Sequence, residues 1–149
     1  MAHMATARLF VAEGAEVAIT GRDQKTLDEA VAELGPNARG YRADVTVADD
    51  QKRLFADLAK DFGKLDIVFA NAGIGGRTPT GATDEAAFEN IVHTNLNGAF
   101  FTVNSAAPLL THLFRRVLRK EVRPFTVTAL WCGHARQNSR CAPIRKPSR

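Results

Sequence analysis

Ile67 to Ala70 form an apolar run of four residues that ends abruptly at Asn71-Ala72-Gly73. A run this short, bounded by turn residues and without polar alternation, is the pattern of a strand covered on both faces. Such a strand needs helices above and below it, and therefore a parallel sheet. The turn that follows has no bulky side chain. In an open α/β sheet, ligands sit just beyond the carboxyl ends of the strands, so a small-residue turn at that point is placed to touch one.

The segments before and after this run fit the same plan. Met4 to Glu13 reads as a helix whose apolar face is Ala5, Leu9, Phe10 and Ala12, with Gly14 as its C-terminal cap. Glu16 to Thr20 reads as a strand ending at Gly21-Arg22-Asp23. Leu27, Ala30, Val31 and Leu34 mark a helix over Gln24 to Leu34 that Gly35-Pro36 stops. Arg39 to Ala43 forms a strand that delivers Asp44-Val45. Thr46 is placed to cap the next helix, which buries Leu54, Phe55, Leu58, Ala59 and Phe62 and ends at Gly63. Beyond the apolar run, Thr83 is placed to cap a long helix reaching about Leu110, with Phe88, Ile91, Val92, Leu96, Phe100 and Val103 expected inside. Three strands alternating with helices predict parallel pairing through right-handed crossovers.

The strand running into Asn71-Ala72-Gly73, followed by a helix bearing Asn95-Leu96-Asn97-Gly98, resembles the short-chain dehydrogenase/reductases from about Ala5 to Leu110. The resemblance implies a Rossmann-type α/β fold, a parallel sheet flanked by helices, and hydride transfer between NAD(P)(H) and a small-molecule alcohol or carbonyl. It assigns cofactor contacts to Arg22, Asp44, Val45, Asn71, Ala72 and Gly73, and a proton-relay water to Asn95. Ala70 stands where the family has the first asparagine of Asn-Asn-Ala-Gly. An arginine after the second family strand favours the 2′-phosphate of NADP, whereas an acidic residue there reads the free ribose of NAD. Arg22 therefore points to NADP, with NAD left open by Asp23 one place later. Asp44-Val45 resembles the family's adenine pair, and Asn95 is expected to be buried.

Parts of the family pattern do not appear. No Thr-Gly-x-x-x-Gly-x-Gly loop precedes Ala5, and no first strand leads into one. That strand is central in the family sheet, so its omission predicts a gap of one strand beside Glu16–Thr20: either the two halves of the sheet close up in a non-native pairing or the gap stays wet. After Leu110 no serine strand or Tyr-x-x-x-Lys helix follows, and the sole tyrosine, Tyr41, lies on the adenine side. The expected fold is thus incomplete, lacking the first strand and the C-terminal third. The expected polypeptide is a fragment without turnover.

Charge marks the same boundary. Residues 1–110 carry 10 basic and 15 acidic side chains, residues 111–149 carry 10 basic and one acidic. The division expected is a partial NAD(P)-binding Rossmann domain over 1–110 and a basic tail over 111–149. The tail reads as foreign to the fold, as a shifted reading frame would produce. Two other functions fit less of the chain. One is a catalytically dead remnant that binds a nucleotide or a partner. The other is a nucleic-acid arm built from the basic tail, which lacks any recognisable module.

Cys132, His134 and Cys141 do not have the spacing of a closed tetrahedral site, so no metal is expected. Two cysteines in all, no apolar leader and no run long enough to span a bilayer lead to the expectation of a cytoplasmic protein that makes no membrane contact. Intact relatives pair through the helix that Thr83 to Leu110 resembles, which implies a homo-oligomer.

Overall fold

The computed structural model describes residues 2–76, 79–110 and 126–130. In chain order they form α1 (Ala2–Ala12), β1 (Glu16–Gly21), α2 (Gln24–Leu34), β2 (Ala38–Arg42), α3 (Ala48–Phe62) and β3 (Ile67–Ala70). Then come α4 (Glu85–Val92), a π-helical turn (His93–Gly98), α5 (Ala99–Ala106), a 3-10 turn (Ala107–Leu110) and β4 (Thr126–Leu130). The four strands make one parallel sheet in the order β2-β1-β4-β3. This is the expected α/β fold with one strand more than expected.

That extra strand fills the expected gap. Thr126–Leu130 comes from the basic tail and lies between β1 and β3, pairing with both. The expectation of a closed or wet gap is corrected. Ala18 and Thr20 in β1 are fully buried, and a buried unpaired backbone group costs roughly 1–3 kcal/mol, so a strand that pairs on both sides satisfies two rows of groups at once. These five tail residues stand inside the sheet; the remainder of 111–149, with Cys132, His134 and Cys141, lies outside the described residues.

Alternation along β1 splits the core into two layers. Val17 and Ile19 pack with Ala7 of α1 and with Leu27, Ala30 and Leu34 of α2. Ala18 packs on the other face with Ala43, Val45, Leu54, Phe55, Leu58, Leu65, Ala72 and Ala106. In α2 the predicted face is the observed one. In α1 it is not: Ala7 is buried with Met4, Phe10 and Val11 against it, while Leu9 is exposed. Gly14 (φ +81°) turns the chain at the end of α1, as expected of a residue without a Cβ.

Both predicted threonine caps are corrected. Val47 precedes α3 without a side-chain cap, and Thr46 instead donates to Asp44. Asp84 caps α4 by accepting from the Ala87 amide, while the Thr83 hydroxyl donates to the Pro79 carbonyl. The long helix is also turned round. Its buried positions are Thr94, Gly98, Thr102 and Ala106, every fourth residue, whereas Phe88, Leu96, Phe100 and Val103 are exposed. A stripe at every fourth residue drifts about 40° per step on a 3.6-residue helix, and the wider π turn takes up part of that drift. Small residues win the inner face because the helix runs close to its neighbours: a Cβ on Gly98 would lie 2.8 Å from Val45 Cγ2. β3 is an edge strand among the described residues, and Ile67 is 38% exposed, so the expected burial on both faces is not met.

Gly98→Ala should therefore destabilise the fold by about 1–3 kcal/mol, since a stiff β-branched neighbour must move. Urea unfolding checks this, with Gly75→Ala, where a Cβ would meet nothing, as the neutral control.

Candidate functional site

Because all four strands are parallel, their carboxyl ends lie along one rim. Register aligns Gly21 with Arg42, Thr20 with Leu130, and Ala70 with Leu130. The residues just past these ends are Arg22, Asp44-Val45 and Asn71-Ala72-Gly73. Short turns thus bring residues some fifty positions apart to one edge of the sheet.

At the β1–β2 end, the Arg22 guanidinium lies 3.7 Å from an Asp44 carboxylate oxygen. Both side chains are partly open to solvent, and such a pair contributes only about 0–1 kcal/mol, so Arg22 is held loosely. Asp44 is fixed from the protein side: its Oδ1 accepts from the Thr46 amide (2.9 Å) and hydroxyl (2.7 Å). The Asp44 amide donates to Asp50 at 2.9 Å. That bond, then the bond from Arg53, holds the Asp50 carboxyl below its ordinary value. Asp23 is engaged elsewhere. It caps α2, accepting from the Thr26 amide at 2.8 Å and from the Thr26 hydroxyl, and the hydroxyl bond is the main reason its carboxyl also titrates below its ordinary value.

Val45 is buried against Gly98, and Gln51 ties the two together. Its amide donates to the Val45 carbonyl at 2.8 Å and reaches the Gly98 carbonyl at 3.4 Å, while its carbonyl accepts from Thr102 at 3.4 Å. Sequence reading missed Gln51 and Asp50. The signal for Gln51 was available: it extends the Leu54-Phe55-Leu58 stripe by one turn, and a polar residue on a core face needs partners.

At the β3 end, Ala72 is buried and Asn71 and Gly73 are half-buried. Asn95 sits in the π-helical turn and clamps the loop: Oδ1 accepts from the Ile74 amide at 2.8 Å and Nδ2 donates to the Ile74 carbonyl at 2.9 Å. A Cβ on Gly73 would come within 3.2 Å of the Asn95 oxygen, so the absence of a side chain there lets the clamp close. Asn95 is exposed, which corrects the expected burial, and its side chain bonds both backbone groups of Ile74. Tyr41 stands at the other end of the sheet, on edge strand β2, where it donates to Asp61 at 2.7 Å. Burial first, then that bond, pushes its phenol above its ordinary value.

A family model described as short chain dehydrogenase matches residues 4–127. The chain belongs to the short-chain dehydrogenase family. The match continues past Leu110, where the sequence resemblance was read to stop, and reaches the start of β4. Oxidoreductase asL5 of Sarocladium schorii is 44% identical over 106 residues, covering 71% of this chain and 43% of that protein. A cis-2,3-dihydrobiphenyl-2,3-diol dehydrogenase of Paraburkholderia xenovorans is 35% identical over 107 residues, covering 68% and 38%. Among solved structures, a short-chain dehydrogenase/reductase described as glucose/ribitol dehydrogenase, from Brucella melitensis, superposes with TM-score 0.67 at 30% identity, covering 72% of this chain and 47% of its own. Actinorhodin polyketide ketoreductase with NADPH gives TM-score 0.67 at 27% identity, covering 76% and 44%. The chain spans about two fifths of the length of the curated relatives it matches.

Short-chain dehydrogenases are oxidoreductases that bind NAD(P), and the rim fits that group: a loosely held cation, a fixed carboxylate and a turn with no bulk. Among the described residues no group of three or more His, Cys, Asp or Glu is gathered to hold a metal ion. None of the described helices is long and apolar enough to cross a membrane.

Two outcomes follow. Asn95→Ala should accelerate hydrogen exchange at the Ile74 amide and destabilise the chain by roughly 1 kcal/mol, the net worth of an ordinary hydrogen bond at an exposed site. Asp50 has a lowered value in the fold, so its contribution is complete above its ordinary 3.8 and fades as pH falls beneath it. The Asp44 amide resonance should report that loss on acid titration, and Asp50→Asn should abolish it.

Proposed function

We propose that this chain carries the adenosine half of an NADP(H) site of a short-chain dehydrogenase and, as a polypeptide, binds nucleotide without turning over. The observation that carries the preference for NADP is the pairing at the β1–β2 end of the rim. Arg22 is the loosely held cation there, and the one acid that would instead read a free ribose, Asp23, is turned into α2 as its cap. A ribose 2′-phosphate offers Arg22 a charge-assisted, bidentate partner stronger than an exposed carboxylate. Asp44 and the Val45 backbone would hold the adenine, with Asn71, Ala72 and Gly73 beneath the remainder of the nucleoside.

Bound NADP(H) supplies a hydride donor or acceptor, in the family directed at an alcohol or carbonyl. The chain's own residues offer little to complete that step. Tyr41, the sole tyrosine, is bonded to Asp61 on edge strand β2, three strand positions from β3, with its phenol raised rather than lowered. That is the reverse of what proton transfer near neutral pH requires. Asn95, the family position for the relay water, has one side-chain donor and one acceptor site taken by Ile74, and an amide supplies no proton-transferring group of its own.

A second reading has its own observation. Leu96, Phe100, Phe101 and Val103 are each at least half exposed along one helical stretch, a face suited to pairing two copies in the cytoplasm as family members pair. Nucleic-acid binding by the tail has no such support.

Calorimetric titration tests the main reading. Adenosine 2′,5′-bisphosphate should bind at least about tenfold more tightly than adenosine 5′-monophosphate, and Arg22→Ala should erase the difference, since one charge-assisted bond is worth roughly 1.5–3 kcal/mol. Equal affinities in the unaltered chain would contradict it. NADPH absorbance should stay constant with carbonyl substrates present.

A further inference from the structure

Gln51 is buried on the face of α3 that also carries Leu54, Phe55 and Leu58, where an apolar side chain would pack without losing hydration. Its neighbours fix which way its amide points. The carbonyls of Val45 (2.8 Å) and Gly98 (3.4 Å) both require a donor, and only the Nε2 end has protons to give. That leaves Oε1 to accept from the Thr102 hydroxyl at 3.4 Å. The Val45 carbonyl, in turn, is half of a rigid unit: the C=O of Val45 and the N–H of Thr46 belong to one planar peptide bond and turn together. Gln51 holds the oxygen side of that plane, and the nitrogen side donates to Oδ1 of Asp44 at 2.9 Å. The Thr46 hydroxyl donates to the same oxygen. Oδ1 is thus occupied, and Oδ2, which lies 3.7 Å from Arg22, is the oxygen left for a ligand.

We infer that Gln51 is a positioning residue for base recognition: through the Val45–Thr46 peptide it holds the Asp44 carboxylate so that Oδ2 selects a 6-aminopurine over a 6-oxopurine. The inference rests on the proposed reading of Asp44 as the adenine contact. An amino group at C6 donates to Oδ2, whereas a 6-oxo group sets a second acceptor against it. The discrimination lasts only while the carboxylate cannot turn. Once the Val45 carbonyl is released, the peptide plane rotates, the Thr46 amide leaves Oδ1, and the freed carboxylate reaches the N1–H of a 6-oxopurine instead. A buried side chain that touches no ligand thereby sets which base the rim accepts. The preference for a 2′-phosphate belongs to Arg22 and does not pass through this route.

Two measurements on the full chain test this, each with two variants. Gln51→Met keeps the length of the side chain and removes both ends of the amide. Gln51→Asn keeps the amide but draws it back from Val45, and it decides the matter should Gln51→Met fail to fold. Without nucleotide, exchange at the Thr46 amide should rise at least about tenfold in either variant. Exchange at Val17, whose amide donates to the Asn37 carbonyl away from this network, should stay as it is in the unaltered chain. Unchanged exchange at Thr46, or an equal rise at Val17, overturns the route through the peptide. Calorimetric titration with adenosine 5′-monophosphate, inosine 5′-monophosphate and adenosine 2′,5′-bisphosphate then gives two affinity ratios. The unaltered chain should prefer the adenosine over the inosine monophosphate by at least about tenfold, and the variants by less than about threefold. The preference for the bisphosphate should be the same in all three chains. A base preference that persists in the variants, or is missing from the unaltered chain, overturns this inference alone. Both ratios falling together mark a merely structural residue and overturn it too. No binding of any adenine nucleotide by the unaltered chain overturns the proposed site, and this inference with it.

Discussion

A buried parallel strand must be paired along both edges, and that requirement governs this structure. β1 lies under helices on both faces, so the groups that Ala18 and Thr20 turn away from β2 have no solvent to meet. β4 meets them, and in doing so joins the β1–β2 half of the sheet to β3. The common rim follows from that junction.

The rim is steadied by polar side chains working from beneath. Gln51 reaches from α3 to the carbonyls of Val45 and Gly98 and to Thr102, so the loop at Asp44-Val45 and the π-helical turn are tied together. Asn95 holds the other end through Ile74. Arg22 is left as the loosely held charge, because its partner Asp44 is already bonded to Thr46 and Asp23 is bonded into α2.

Much of this could be read from the residues. The strands at Glu16 and Ile67, the helix over Gln24 to Leu34 and the turns that carry Arg22, Asp44 and Asn71 all follow from local pattern, because periodicity and turn chemistry are local properties. The failures are non-local. Large apolar residues in the helix from Glu85 to Ala106 were assigned to the core on hydrophobicity, yet Gly98 against Val45 leaves room only for small ones. Asn95 was expected to be buried on the same reasoning. Thr126–Leu130 was missed for a related cause. Five residues in a basic stretch carry little pattern of their own, and what selects them is a vacancy created by the order of the other strands.

The central claim is that the carboxyl rim of this sheet reads a nucleotide from its adenosine side. Backbone amide shifts recorded during addition of NADPH test it most directly. The account predicts changes gathered at residues 21–23, 43–46 and 71–74, with α1 and the amino ends of the strands unaffected. Changes confined to the exposed face at Leu96 to Val103, or none at saturating nucleotide, would contradict it.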